Sequence, residues 1–168
     1  MLQKNLFIIP ALVIAYFLYQ FVFIGSDEKQ IKNLFKEIKE LVYIDGTLRK
    51  PEILGRTLKL KKLIAKDVKL IAFEGEKIIF ETQSFDSVQG ASFVGANYLS
   101  EHSAILQDFD IEVDGNKAST QVVIISDGKS IESDTFRELF SAKIKLEKRE
   151  DQWVIISASG ERLTSEYE

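Results

Sequence analysis

The chain has no cysteine, a single histidine (His102), a single tryptophan and only two prolines. Lack of cysteine excludes a disulfide framework, thiolate metal sites, a cysteine nucleophile and an acylated lipoprotein cysteine. One histidine cannot supply a multi-histidine metal centre within one chain, so neither a metal nor another cofactor is expected. No Pro/Gly/Ser-rich stretch marks a linker, and no internal repeat is visible. The remainder is ordinary globular material. Of 168 residues, 45% are hydrophobic and 29% charged, which excludes a disordered chain and suits one domain with a real core.

Charge is also missing from one long run. Leu6 to Ile24 reads LFIIPALVIAYFLYQFVFI, 19 residues without a charged side chain. At 1.5 Å per residue that is roughly 28 Å of helix, close to a bilayer's hydrocarbon thickness. Thirteen of the residues are Leu, Ile, Val or Phe, which outweighs Gln20 and the early Pro10. The exit, VFIGSDEK, lacks a small-x-small cleavage site, so a retained anchor over residues 1–25 is expected rather than a removed signal peptide. Lys4 precedes the run, and Asp27 and Glu28 follow it, so positive charge stays inside. The expectation is a single-pass protein of a bacterial-type inner membrane. Its N-terminus would be cytoplasmic, residues 6–24 would lie in lipid, and residues 26–168 would form a periplasmic or extracellular domain.

Within that domain, Asp27 to about Ile44 predicts an amphipathic helix. Ile31, Leu34, Phe35, Ile38, Leu41 and Val42 recur at helical spacing, and Asp27 with Gln30 has the pattern of a capping box. Pro51 opens a second helix to about Lys66. Strands are predicted over Val68–Glu74 and Lys77–Gln83, joined at Gly75-Glu76. A third helix is predicted from Ser84 to about His102, where Ser87, Ala91 and Gly95 form a stripe of small residues suited to close packing. Four strands follow: Ile105–Asp114, Lys117–Ser126 (ended by Asp127-Gly128), Phe136–Lys148 and Gln152–Ala158. Short loops make them antiparallel neighbours.

This element order resembles the nuclear transport factor 2-like superfamily, which includes SnoaL-like cyclases and ketosteroid isomerase. The resemblance covers about Asp27 to Leu163. Its best local match is KIKLEKREDQWVIISASGERL, Lys143 to Leu163, where a polar turn precedes a tryptophan strand. It implies an α+β cone: three helices on a curved, mostly antiparallel sheet of about six strands, enclosing a pocket. Related isomerases and cyclases place a carboxylate and a tyrosine or histidine inside that cone. On this chain the resemblance offers Glu138, Tyr43, Tyr98 and His102 as catalytic candidates. Glu138 shares a predicted strand face with Phe136, Phe140, Ala142 and Ile144, where burial would raise a carboxyl pKa and make it a base. Its bland reading is a carboxylate at the watery rim. The bland reading of His102 is a cation at a helix C-terminus. Many relatives dimerise through the sheet, so a homodimer is expected. The resemblance also extends to type IV secretion scaffold proteins, with one transmembrane helix before a related domain.

Other signals are weaker. Gly90 to Gly95 has the spacing of a phosphate loop, but Ala96-Asn97 stands where Lys-Ser/Thr is required. Asp108, Asp110 and Glu112 would line one strand face, most simply in water. Arg49 to Lys69 carries eight basic side chains against two acidic ones in a chain of net charge −4. Arg56, Lys59, Lys61, Lys62 and Lys66 therefore form a candidate basic face for anionic headgroups or an acidic protein partner. The pI of about 5.2 argues against nucleic acid. The leading expectation is a membrane-anchored interaction or ligand-binding module without catalysis. The alternative is a small lyase, isomerase or cyclase with a pocket carboxylate and a hydrophobic substrate.

Overall fold

Alternating apolar and polar residues in the second half of the chain build one face of a sheet for burial and one for solvent. The computed structural model describes residues 25–46 and 48–167. In order they form α1 (Gly25–Val42), β1 (Ile44–Asp45), α2 (Lys50–Leu63), β2 (Ile64–Glu74), β3 (Lys77–Thr82), α3 (Phe85–Tyr98), β4 (Leu99–Asp114), β5 (Lys117–Ser130), β6 (Thr135–Arg149) and β7 (Gln152–Tyr167). The strands join in one sheet of seven, ordered β1-β4-β5-β6-β7-β2-β3. Neighbours are antiparallel except β2 and β7, which run parallel, with α3 and four strands between them in sequence.

The inner face, covered by helices, carries Val68, Ala118, Val122, Ala142, Ile144, Leu146, Trp153 and Ile155. Against it α1 sets Ile31, Leu34 and Phe35, all buried, with the Phe35 ring 5.3 Å from that of Phe109. Each such side chain contributes about 1.5–3 kcal/mol by leaving water. The outer face alternates with it and carries Ser119, Gln121, Lys143, Lys145, Ser157 and Ser159.

The sheet has seven strands rather than about six, because β1 is only two residues long and leaves no periodic trace in the sequence. Gly25 is already helical, so Asp27 lies inside α1 and does not cap it. Its carboxylate accepts instead from Trp153 Nε1 at 3.2 Å and Lys148 Nζ at 2.8 Å. α2 ends at Leu63, and Lys66 lies on β2. α3 ends at Tyr98, and its inward side is Phe85, Val88, Ser92 and Ala96, with Ser87 and Ala91 exposed. β5 runs through Asp127-Gly128 to Ser130, and β7 runs on to Tyr167. Gly128 is there for space, since a Cβ would overlap the Phe136 ring. The expected anchor, residues 6–24, lies outside the described residues. Among those described, no helix is long and apolar enough to cross a membrane.

Asp27 is the polar latch between α1 and the β6–β7 hairpin. Asp27→Ala leaves Lys148 and the buried Trp153 N–H without their acceptor. It should cost about 2–4 kcal/mol in urea-unfolding free energy, while Asp27→Asn, which keeps an acceptor for Trp153, should cost less. An Asp27→Ala protein with the parent's unfolding midpoint would rule the latch out.

Candidate functional site

The C-terminal end of α1 leaves backbone carbonyls that need donors. Two side chains from other elements supply them. Arg56 of α2 donates through Nη1 to the carbonyls of Leu41 (3.3 Å) and Tyr43. His102 of β4 meets the carbonyl of Val42 at 2.8 Å through Nδ1. A carbonyl oxygen only accepts, so Nδ1 carries the proton. In the neutral ring Nε2 is then the lone-pair nitrogen. It lies 3.0 Å from Ser126 Oγ, whose hydroxyl is free to donate to it.

The imidazole stands at the junction of two hollows. A cavity of about 140 Å³ between helices and sheet is lined mainly by apolar residues, among them Leu41, Ile44, Ile53, Leu60, Ala96 and Leu99, and it reaches His102. An open groove of about 530 Å³ lies on the other side, with Tyr43, Asp45, Glu101, Asp127, Phe136 and Arg137 in its walls. The Phe136 ring lies 6.5 Å from the His102 ring, inclined by 30°. An apolar molecule held in the inner cavity would therefore meet one hydrogen-bonded base, with polar groups toward water.

Glu138 lies one strand further on, directly opposite Ser126 in the β5–β6 register. It faces inward, as the sequence pattern predicts. Its Oε1 accepts from Arg162 Nη1 at 2.9 Å, and Arg162 also donates to Glu74 Oε1 at 2.7 Å. Hydrogen bonds from Arg162 to Glu74 first, and to Glu138 second, raise the guanidinium pKa further. His102, Ser126, Glu138, Arg162 and Glu74 thus form a polar row across five strands, from β4 to β2.

The sequence candidates fall into three groups. His102 and Tyr43 line the same groove, and Glu138 joins the row through Ser126. Tyr98 is half exposed at the end of α3 and lines neither hollow. Of the basic face, Lys59, Lys61, Lys62 and Lys66 are exposed, whereas Arg56 is spent on α1 carbonyls and lines the inner cavity. Ser126 and Arg162 are site residues that no sequence motif marks. Both lie at inward positions of strands, and that alternation was the available signal.

Neither a family model nor a curated protein matches the chain. Solved structures do, with one fold in common. A scytalone dehydratase-like protein of Novosphingobium aromaticivorans, described as putative, superposes with a TM-score of 0.69 at 10% identity, over 84% of this chain and 87% of its own. The hexachlorocyclohexane dehydrochlorinase LinA-type3 of Novosphingobium barchaimii gives 0.66 at 11%, over 85% and 90%. A nuclear transport factor 2-like protein with a cystatin-like fold, also from Novosphingobium aromaticivorans, gives 0.63 at 10%, over 87% and 88%. The chain therefore has the nuclear transport factor 2-like fold, an α+β cone in which the described residues form three helices on a seven-stranded sheet.

Proposed function

We propose that the protein is a small lyase of this fold that removes a proton from a hydrophobic substrate, with His102 as the base. The observation that carries this reading is the setting of His102. The Val42 carbonyl orients the ring, Nε2 is the basic nitrogen, and the residue lines an apolar cavity. Positioned bases of this kind contribute about 10²–10⁴ in rate. In an elimination, Nε2 takes the proton from carbon, the C–H electrons form the double bond, and the leaving group departs toward the polar groove. Tyr43, in the wall of that groove, is the candidate to protonate it. The names of two structural neighbours, a dehydratase and a dehydrochlorinase, describe eliminations of that class and support the reading by analogy of fold. Glu138, tied to Arg162, acts here as a partner in the polar row rather than as the base.

The test is a panel of small apolar β-hydroxy and β-halo compounds, with alkene formation followed by gas chromatography. The parent protein should turn over at least one of them. His102→Gln should lose about two orders of magnitude or more, with its thermal unfolding midpoint within a few degrees of the parent. Turnover that survives His102→Gln would overturn the assignment.

A second reading is a membrane-tethered ligand-binding or interaction module without catalysis. The pairing of Arg162 with Glu138 supports it, because it engages the carboxylate that the family resemblance offers as a catalytic group. In either case the uncharged run at residues 6–24 would hold the domain at a bilayer. The full-length chain should stay in the membrane pellet after alkaline carbonate washing. Its release into the supernatant would argue against the tether.

A further inference from the structure

The outer face of the sheet gathers lysines that neither hollow uses. Lys145 of β6 is paired with Ser157 of β7, and Ser157 is paired with Lys69 of β2, so the three lie in one row across adjacent strands. One row on, Lys143 is paired with Ser159. Adjacent strands stand about 4.8 Å apart, so the Cα atoms of Lys69 and Lys145 lie roughly 10 Å apart, within reach of one ligand for two extended lysines. Residues i and i+2 on a strand share a face, so Lys143 stands beside Lys145. Together with Ser157 and Ser159 these lysines line a hollow of about 270 Å³.

The charge balance of this hollow is unusual for the chain. Its formal net charge is −4. Yet among the described residues none of these three lysines forms an ion pair. Glu81 is the one carboxylate in the lining, against three ammonium groups. Clustered like charges repel, so the arrangement favours a bound counter-charge. Ammonium and hydroxyl donors converging from three strands suit a tetrahedral oxyanion, whose oxygens accept from several directions.

A second hollow of about 280 Å³ adjoins the first and shares Lys143 and Ser159 with it. Its lining adds Phe73, Gln121, Ser141 and Gly160, with Glu161 as its carboxylate. Phe73 is partly exposed there and lines the same hollow as Lys143.

We infer that the outer sheet face binds a phosphate monoester. The phosphate lies among Lys69, Lys143 and Lys145, with Ser157 and Ser159 as hydroxyl donors, and the organic part lies over Phe73. This site is on the opposite side of the sheet from His102 and is independent of the lyase reading. A soluble metabolite and a phosphatidic acid headgroup share this chemistry.

The probe is phenyl phosphate, titrated calorimetrically into the full chain in neutral detergent at low ionic strength, where screening is weak. Binding should saturate. It should weaken about tenfold or more in Lys143→Gln/Lys145→Gln, whereas Lys39→Gln, on α1, should bind as the parent does. Phe73→Ala should weaken phenyl phosphate but not inorganic phosphate. Phosphatidic acid added to the micelles decides the source: competition with phenyl phosphate assigns the site to the lipid headgroup, and its absence assigns it to a soluble ester. Three results would overturn the inference. They are no saturation by the parent, parent-like binding by the double lysine variant, and an equal loss in Lys39→Gln, which would mean diffuse charge attraction. A Phe73→Ala protein that binds phenyl phosphate as the parent does would remove the organic seat.

Discussion

One helix, held at both ends by polar contacts, sets the geometry of everything else. At its start the Asp27 carboxylate is taken by Trp153 and Lys148 of the last hairpin. At its finish the carbonyls of Leu41 and Val42 are taken by Arg56 and His102. Between them Ile31, Leu34 and Phe35 supply the apolar adhesion, which has no direction of its own. The polar contacts supply the direction. They fix how far the helix can slide along the inner face, and so where the cavity beside His102 opens.

The same contact serves structure and chemistry. A histidine that satisfies a helix carbonyl with Nδ1 has its tautomer chosen for it, and the basic nitrogen is then aimed at Ser126. Arg162 does the corresponding work for Glu138, joining β6, β7 and β2 at the inner face. The fold supplies the cone and is shared with proteins of several activities, so function has to be argued from this row of side chains.

Much of the fold was legible because periodicity records burial. The Ile31-Leu34-Phe35-Ile38 stripe, the hairpin at Gly75-Glu76 and the Phe109-Ile111-Val113 alternation all appear as the sequence implies. The errors came where one residue type answers to two physical demands. Asp27 has the sequence position of a cap, but a buried tryptophan N–H across the fold claims it. Asp127-Gly128 has the composition of a turn, yet both residues are paired with β4 and β6, and the absent Cβ of Gly128 leaves room for the Phe136 ring. Leu99-Ser100-Glu101-His102 carries no clear period, so the change from α3 to β4 was invisible. The sequence therefore points to a helix end for the histidine, whereas it lies in the sheet. Arg56 groups with the exposed lysines in the sequence because nothing local distinguishes a cation facing water from one facing carbonyls fifteen residues back. Contacts at long sequence separation leave no local pattern, and the candidate site is built almost wholly from them.

The central claim is that α1 pins the His102 ring with its proton on Nδ1. A long-range ¹H–¹⁵N correlation spectrum tests it directly, because the untagged chain gives only one imidazole. At a pH where the ring is neutral, the account predicts a protonated Nδ1 and an unprotonated Nε2, held in that tautomer. An Nε2–H tautomer, or a ring averaging between the two as free imidazole does, would contradict it.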